Sequence, residues 1–215
     1  MNHTINLFPL FAKNLCVGNL GCTQPELNLI LTMLKKEDYE DLNNVSDKFM
    51  RGDDLCETSK NFYILEQECF IFLKNKILKY VNDFFKTKLF FNKNNFTITT
   101  SWIAKTPPGK LSHWHNHNNC YYSGVFYIDT AKECGDIIFS TFDSNIFSIQ
   151  STEINQYNSK VFSVPVENDR IVLFPAEIYH KISKNNSNKD RYSIAFNIMP
   201  TGKIGHNDSC LIYNP

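Results

Sequence analysis

The spacing of apolar residues changes part-way along the chain. Up to about residue 95 they recur at intervals of three and four, the period of an amphipathic helix. The stretch "TQPELNLILTMLKKEDYEDL", 23–42, opens with Thr23 and carries Glu26 three positions on. That is a capping-box pattern, with Pro25 tolerated in the first turn. In "NFYILEQECFIFLKNKILKYVNDFFKT", 61–87, the positions Phe62, Leu65, Cys69, Leu73, Ile77, Val81 and Phe84 form one stripe. The stripe predicts a long helix laid against a sheet.

From about residue 96 the period is two. The runs "FTITTSWIA", "YYSGVFYID", "DIIFST", "NIFSIQ", "KVFSVP", "RIVLF", "IYHKIS" and "RYSIAFNIM" follow one another, separated by turn-forming stretches such as "TPPGK", "KECG", "VEND" and "KNNSNKD". Short strands in series without intervening helices predict a mainly β fold with N-terminal helices, of the sandwich or double-sheet jelly-roll kind. The last run has unlike faces. Arg191, Ser193, Ala195 and Asn197 point one way, while Tyr192, Ile194, Phe196 and Ile198 point the other. Such a strand suits a cup whose inside binds a ligand and whose outside is covered by the helices. If "KNNSNKD" is a hairpin, Arg191 and Ser193 lie beside the strand that precedes it. No repeat or linker divides the chain. It reads as a single domain over 1–215, with helical support in 1–95, a β core in 96–200 and a C-terminal tail in 201–215.

Composition narrows the class. With 42% hydrophobic and 14% aromatic residues, the 215-residue chain can build a real core. A formal net charge of zero gives no support for nucleic acid as a partner. The seven cysteines form no C-x-x-C pair and are odd in number, so a reducing compartment is expected rather than a disulfide framework. No signal-peptide pattern opens the sequence, and no apolar run reaches the roughly 18 to 20 residues that span a bilayer. A soluble cytoplasmic protein with no membrane partner is the expectation.

Three of the six histidines fall in "HWHNHNN", 113–119, at alternate positions. On an extended segment, residues i and i+2 share a side roughly 6 to 7 Å apart. Two of His113, His115 and His117 can therefore converge on one metal ion where the segment curves. A third ligand must come from elsewhere, and His180 in "LFPAEIYHKIS" is the candidate. Eleven residues later, "RYS" places Arg191 and Ser193 on one face, a guanidinium and a hydroxyl suited to gripping a carboxylate.

Taken together these residues resemble the iron(II)- and 2-oxoglutarate-dependent oxygenases, whose double-stranded β-helix, a cupin-like jelly roll, carries H-x-D/E, a distal His, and R-x-S about ten residues beyond it. The resemblance is strongest to a 2-oxoglutarate oxygenase family of bacteriophages and marine bacteria with an H-x-H motif. It rests on "PPGKLSHWHNHNNCYYSGVFYID", "GDIIF" and "VPVENDRIVLFPAEIYHKI", and covers 96–200. It implies His115, His117 and His180 as metal ligands, because Ser123-Gly124 stands at the family distance after His117. It also implies Arg191 and Ser193, with Tyr127, as cosubstrate-binding residues. His113 falls outside the pattern. The cofactors implied are Fe(II), 2-oxoglutarate and O2, and the reaction implied is hydroxylation of a small molecule or a protein side chain with release of succinate and CO2. A phage origin would place the enzyme in the host cytoplasm.

Two departures from the family pattern matter. His117 stands where most of the superfamily has a carboxylate, leaving an iron(II) centre one unit more positive. Asp136 or Asp143 is the alternative source of that carboxylate. Asn168-Asp169 occupy a turn where relatives have glycine, and both residue types tolerate left-handed backbone. Two other readings stay open at this point: a three-histidine cupin-type dioxygenase that does not use 2-oxoglutarate, and a non-catalytic cupin-like binding module.

Overall fold

The computed structural model describes residues 12–41, 55–141 and 149–215. Most of the run "NIFSIQ" and Asp143 lie outside these residues. Two antiparallel sheets face one another. The larger contains β1 (Cys16–Asn19), β2 (Tyr39–Asp41), β3 (Glu57–Ser59), β4 (Asn95–Thr106), β5 (Tyr122–Asp129), β8 (Arg170–Pro175) and β10 (Arg191–Ile204) in the order β1-β8-β5-β10-β4-β3-β2, and β11 (Leu211–Tyr213) pairs with β10. The smaller has the order β7-β6-β9, with β6 at Ile137–Ser140, β7 at Val161–Val164 and β9 at Tyr179–Ile182. This is the double-sheeted architecture that the period-two runs predict.

Helices α1 (Gln24–Leu34) and α2 (Ile71–Thr87) cover the outer face of the larger sheet. Tyr192, Ile194, Phe196 and Ile198 of β10 pack there with Leu73, Ile77, Val81 and Phe85, so this side of the strand faces the helices as its pattern indicates. The long helix expected from residue 61 is shorter. Residues Ile64–Glu66 and Glu68–Phe70 form two 3-10 turns, because Leu65 donates its backbone N–H to Ser101 Oγ on β4 (2.9 Å) and Gln67 is extended. Phe62 and Cys69 are consequently exposed and leave the buried stripe. The N-terminal part also supplies β1, β2 and β3, and the C-terminal tail is held by β11 on an extended β10.

The N-terminal cap of α1 is as its sequence indicates. Thr23 Oγ1 accepts from Glu26 N–H and the Glu26 carboxylate accepts from Thr23 N–H. Lys76 Nζ also lies 2.8 Å from that carboxylate and, with Thr23, holds its pKa down at about 2. A depressed carboxyl pKa adds stability that is complete above the ordinary value of 4.5 and disappears as pH falls through about 2. Acid unfolding of the wild type and Glu26→Gln should therefore diverge above pH 4.5 and converge near pH 2, which a denaturation series followed by circular dichroism reads directly.

Gly124 shows how closely the sheet meets this core. A Cβ there would stand 2.4 Å from the Phe196 ring and 2.8 Å from Leu173 Cδ2. Gly124→Ala should cost about 1–3 kcal/mol of stability in urea denaturation, through overpacking.

The connection "KNNSNKD" is not a hairpin. It carries the chain from β9 in the smaller sheet to β10 in the larger one. Asn185, fully buried, pins it: its Nδ2 donates to the carbonyls of Thr106 (2.7 Å) and Lys189 (2.8 Å), and its own carbonyl accepts from Gly109 N–H. The turn at Asn168-Asp169 places Asp169 in left-handed backbone, φ 68°, where its carboxylate caps the N–H groups of Gly21 and Cys22.

Candidate metal centre

His115 and His180 face one another across an antiparallel bridge, each donating its backbone N–H to the other's carbonyl at 3.0 and 2.8 Å. His117 N–H then donates to Ala176 O at 2.9 Å. The histidine segment is thereby laid along the start of β9, and its side chains meet that of His180. The potential ligand atoms of His115, His117 and His180 all lie within 4.8 Å of one another. Ring centroids are 4.3 Å apart for His115–His180, 5.3 Å for His115–His117 and 5.1 Å for His117–His180.

Two of the imidazoles are fixed by backbone carbonyls. His115 Nδ1 is 2.8 Å from His113 O and His180 Nδ1 is 3.1 Å from Ile178 O. A carbonyl only accepts, so each Nδ1 carries a proton, and Nε2 is the nitrogen left to ligate. His113 thus contributes through its main chain. Burial pushes the pKa of His117 down to about 4 and that of His180 to about 2, with the neighbouring imidazoles adding to the effect. Neutral rings are the form that ligates a metal.

Asp136 is not a member of this cluster among the described residues, and its carboxylate accepts from Ser163 Oγ at 2.9 Å. Around the cluster, Phe174 lies 4.6 Å from the His180 ring and Phe139 6.0 Å. Ile182 lines the cavity with Phe174, whereas Phe126 faces the helices. On β6 the inward residues are Ile137 and Phe139.

The histidines open onto a cavity of about 620 Å³ that is also lined by Tyr127, Ser193 and Ala195. Arg191 lies beneath this lining, fully buried, with its guanidinium carbon 5.6 Å from the Tyr127 ring centroid. Its Nη1 donates to Gly135 O and its Nη2 to Thr106 Oγ1, both at 3.0 Å, while Nε is buried with no hydrogen-bond partner. Among the described residues no carboxylate forms an ion pair with it. Ser193 Oγ donates to Ala104 O at 3.3 Å. Burial keeps the Tyr127 hydroxyl above its ordinary pKa and hence protonated, against the opposing pull of Arg191.

A family model described as "Putative 2OG-Fe(II) oxygenase" matches residues 100–197, the span that holds all of these groups. Over this core, just under half of the chain, the sequence is similar to the 2OG-Fe(II) oxygenases. Solved structures agree in fold. HygX from Streptomyces hygroscopicus, with nickel and 2-oxoglutarate bound, is similar at a TM-score of 0.61 and 12% identity over 88% of this chain and 84% of that one. A Pseudomonas putida prolyl-4-hydroxylase gives 0.55 and 12%, over 87% and 94%. The viral collagen prolyl hydroxylase of Paramecium Bursaria Chlorella virus-1 gives 0.53 and 11%, over 86% and 94%. No curated protein matches the sequence.

Among the described residues the cluster offers three histidines and no carboxylate. Two of the cavity residues, Phe62 and Trp102, carried no sequence signal. Phe62 reads as part of the helical stripe and Trp102 as an ordinary strand residue. Only the register of β4 against β10, Trp102 opposite Ala195, would have turned Trp102 inward.

Proposed function

We propose that His115, His117 and His180 hold iron(II) and that the chain hydroxylates its substrate at the expense of 2-oxoglutarate and dioxygen. The observation carrying this reading is the pairing of a three-imidazole cluster with a buried guanidinium that, among the described residues, has no carboxylate partner. One end suits a divalent metal and the other an anion. The orphaned Arg191 Nε is the test of fit on the cosubstrate side: the charge is buried as though an acid were to be brought to it.

Bound iron(II), 2-oxoglutarate and dioxygen together supply an oxidation in which one oxygen atom enters a substrate C–H bond, the other enters succinate, and CO2 leaves. The chain's own residues do the rest. Tyr127 and Ser193 would hold the far carboxylate of 2-oxoglutarate, and Arg191 would supply positive potential from beneath them. The carbonyls of His113 and Ile178 orient the imidazoles, and Phe139 and Phe174 exclude water from one side of the centre.

Proteins of similar fold act on differing substrates: HygX is seen with hygromycin B, and others are prolyl hydroxylases. For this chain a small molecule or a protein side chain is the proposed class.

Purified protein given iron(II) and 2-oxoglutarate should consume oxygen and form succinate in equal amounts, with chelation abolishing both and added iron(II) restoring them. Oxygen uptake without succinate would instead favour a three-histidine dioxygenase that does not use 2-oxoglutarate. Neither product, in protein shown to carry metal, would favour a binding module.

A further inference from the structure

The cavity has a second end. Along β4, Thr106 pairs with Arg191 and Trp102 with Ala195, so the Trp102 end lies four residues, roughly 13 Å, from the arginine. There the Trp102 ring is 5.5 Å from that of His117 and 6.2 Å from that of Phe62, forming an aromatic wall that runs from the cluster to the mouth.

This wall is held in place by the main chain. Beyond the short β3–β4 pairing, Ile103 N–H donates to Ser59 Oγ (2.9 Å), Ser101 N–H to Phe62 O (2.8 Å) and Leu65 N–H to Ser101 Oγ (2.9 Å). These bonds fix the segment that carries Phe62 before any ligand arrives. Phe62 is nevertheless 46% exposed, an aromatic ring presented at the mouth of a cavity rather than used in the core. It also lies outside residues 100–197, so it belongs to the part of the chain that the family model does not describe.

Charge is nearly absent from the lining. Among the described lining residues, Glu57 alone can carry one besides the histidines. Its carboxylate is 2.9 Å from Lys105 Nζ, which is itself 3.7 Å from Asp190. A cationic ligand would have to compete with that lysine, and an anion finds no ammonium or guanidinium in the wall.

We propose that Phe62 and Trp102 select the substrate, and that the substrate is an uncharged small molecule presenting a ring, aromatic or saturated. The inference rests on the metal and cosubstrate reading above, in which the reaction takes place at the three histidines. Stacked and edge-on ring contacts give affinity beyond the area they bury, and a neutral wall adds discrimination against charge.

The test is ligand-observed saturation-transfer NMR on the nickel- and 2-oxoglutarate-loaded protein. Benzyl alcohol and cyclohexanol are the ring probes, 1-hexanol the open-chain control, and benzylamine and benzoate the charged rings. The two neutral rings should bind on the order of fivefold more tightly than the other three. Phe62→Ala should remove that preference, and Phe62→Tyr should keep it. Because Phe62 is half exposed, the alanine variant deletes little packing, and a circular dichroism spectrum matching the wild type checks this. Equal binding of all probes by the loaded wild type, or a preference that survives Phe62→Ala, overturns the proposal. A ring preference in protein that takes up neither nickel nor 2-oxoglutarate would sink the metal reading and leave the aromatic wall standing.

Discussion

Arg191→Met is expected to weaken 2-oxoglutarate binding by about tenfold to a hundredfold while leaving nickel affinity within about twofold of the wild type. The magnitude follows from the roughly 1.5–3 kcal/mol that a hydrogen bond or close contact to a charged group contributes, at about 1.4 kcal/mol per tenfold. The selectivity follows from position. Arg191 lies on β10 in the larger sheet, bonded to Gly135 O and Thr106 Oγ1 and set against the Tyr127 ring, and hydrogen-bonds to none of the three histidines. Isothermal titration of the nickel-loaded protein with 2-oxoglutarate reads the effect, since nickel holds the site without turnover. Arg191→Lys keeps the charge but not the planar fork and should fall between the two. Unchanged 2-oxoglutarate affinity in Arg191→Met would remove the cosubstrate from this end of the cavity.

The second large effect belongs to the metal ligands. His180→Ala should lower nickel or iron(II) affinity at least about a hundredfold, because a three-ligand protein site becomes a two-ligand one. His180 is only 5% exposed and its Nδ1 is tied to Ile178 O, so its ring is held in place at the cluster. His117→Asp should behave differently. It supplies an anionic oxygen where the imidazole stood and restores the two-histidine, one-carboxylate set, so metal should be retained within about tenfold. Titration with a chelator-buffered metal series distinguishes the two variants, and circular dichroism checks that both are folded. Equal loss in both, or no loss in His180→Ala, would mean that the three rings do not share an ion.

The architecture was legible wherever a strand had unlike faces. β10 is the clearest case: its alternating Arg191, Ser193, Ala195 and Tyr192, Ile194, Phe196 translate directly into a cavity side and a helix side. The histidines were legible for a similar reason, since their two-residue spacing has few other uses in an extended segment. Short elements were not. Strands of three or four residues such as β1, β2 and β3 are too brief to show a period, and their place in the larger sheet is decided by tertiary pairing. The run from Phe62 to Cys69 misled because its apolar spacing suits a helix, while the bond from Leu65 N–H to Ser101 Oγ holds it to a strand instead. "KNNSNKD" misled in another way. Its composition says turn, but no local signal states that the two flanking strands belong to different sheets. Arg191's neutral partners, Gly135 and Thr106, are 56 and 85 residues away, beyond the reach of any local pattern.

On the proposed reading, the connection "KNNSNKD" has a consequence for which diacids can be used. His180 and Arg191 are eleven residues apart in the chain but are mounted on opposing walls, so the distance between them is set by the thickness of the filling, not by the tether. Val125 and Val172 from one wall and Ile137, Phe139 and Val164 from the other make up that filling. Adding a residue between 183 and 190 would leave the reach unaltered, whereas enlarging Val125 or Val172 would spread the walls and shift the preference toward a longer carbon skeleton. On the proposed reading, the gauge for the acid is the bulk of the side chains packed between the two walls.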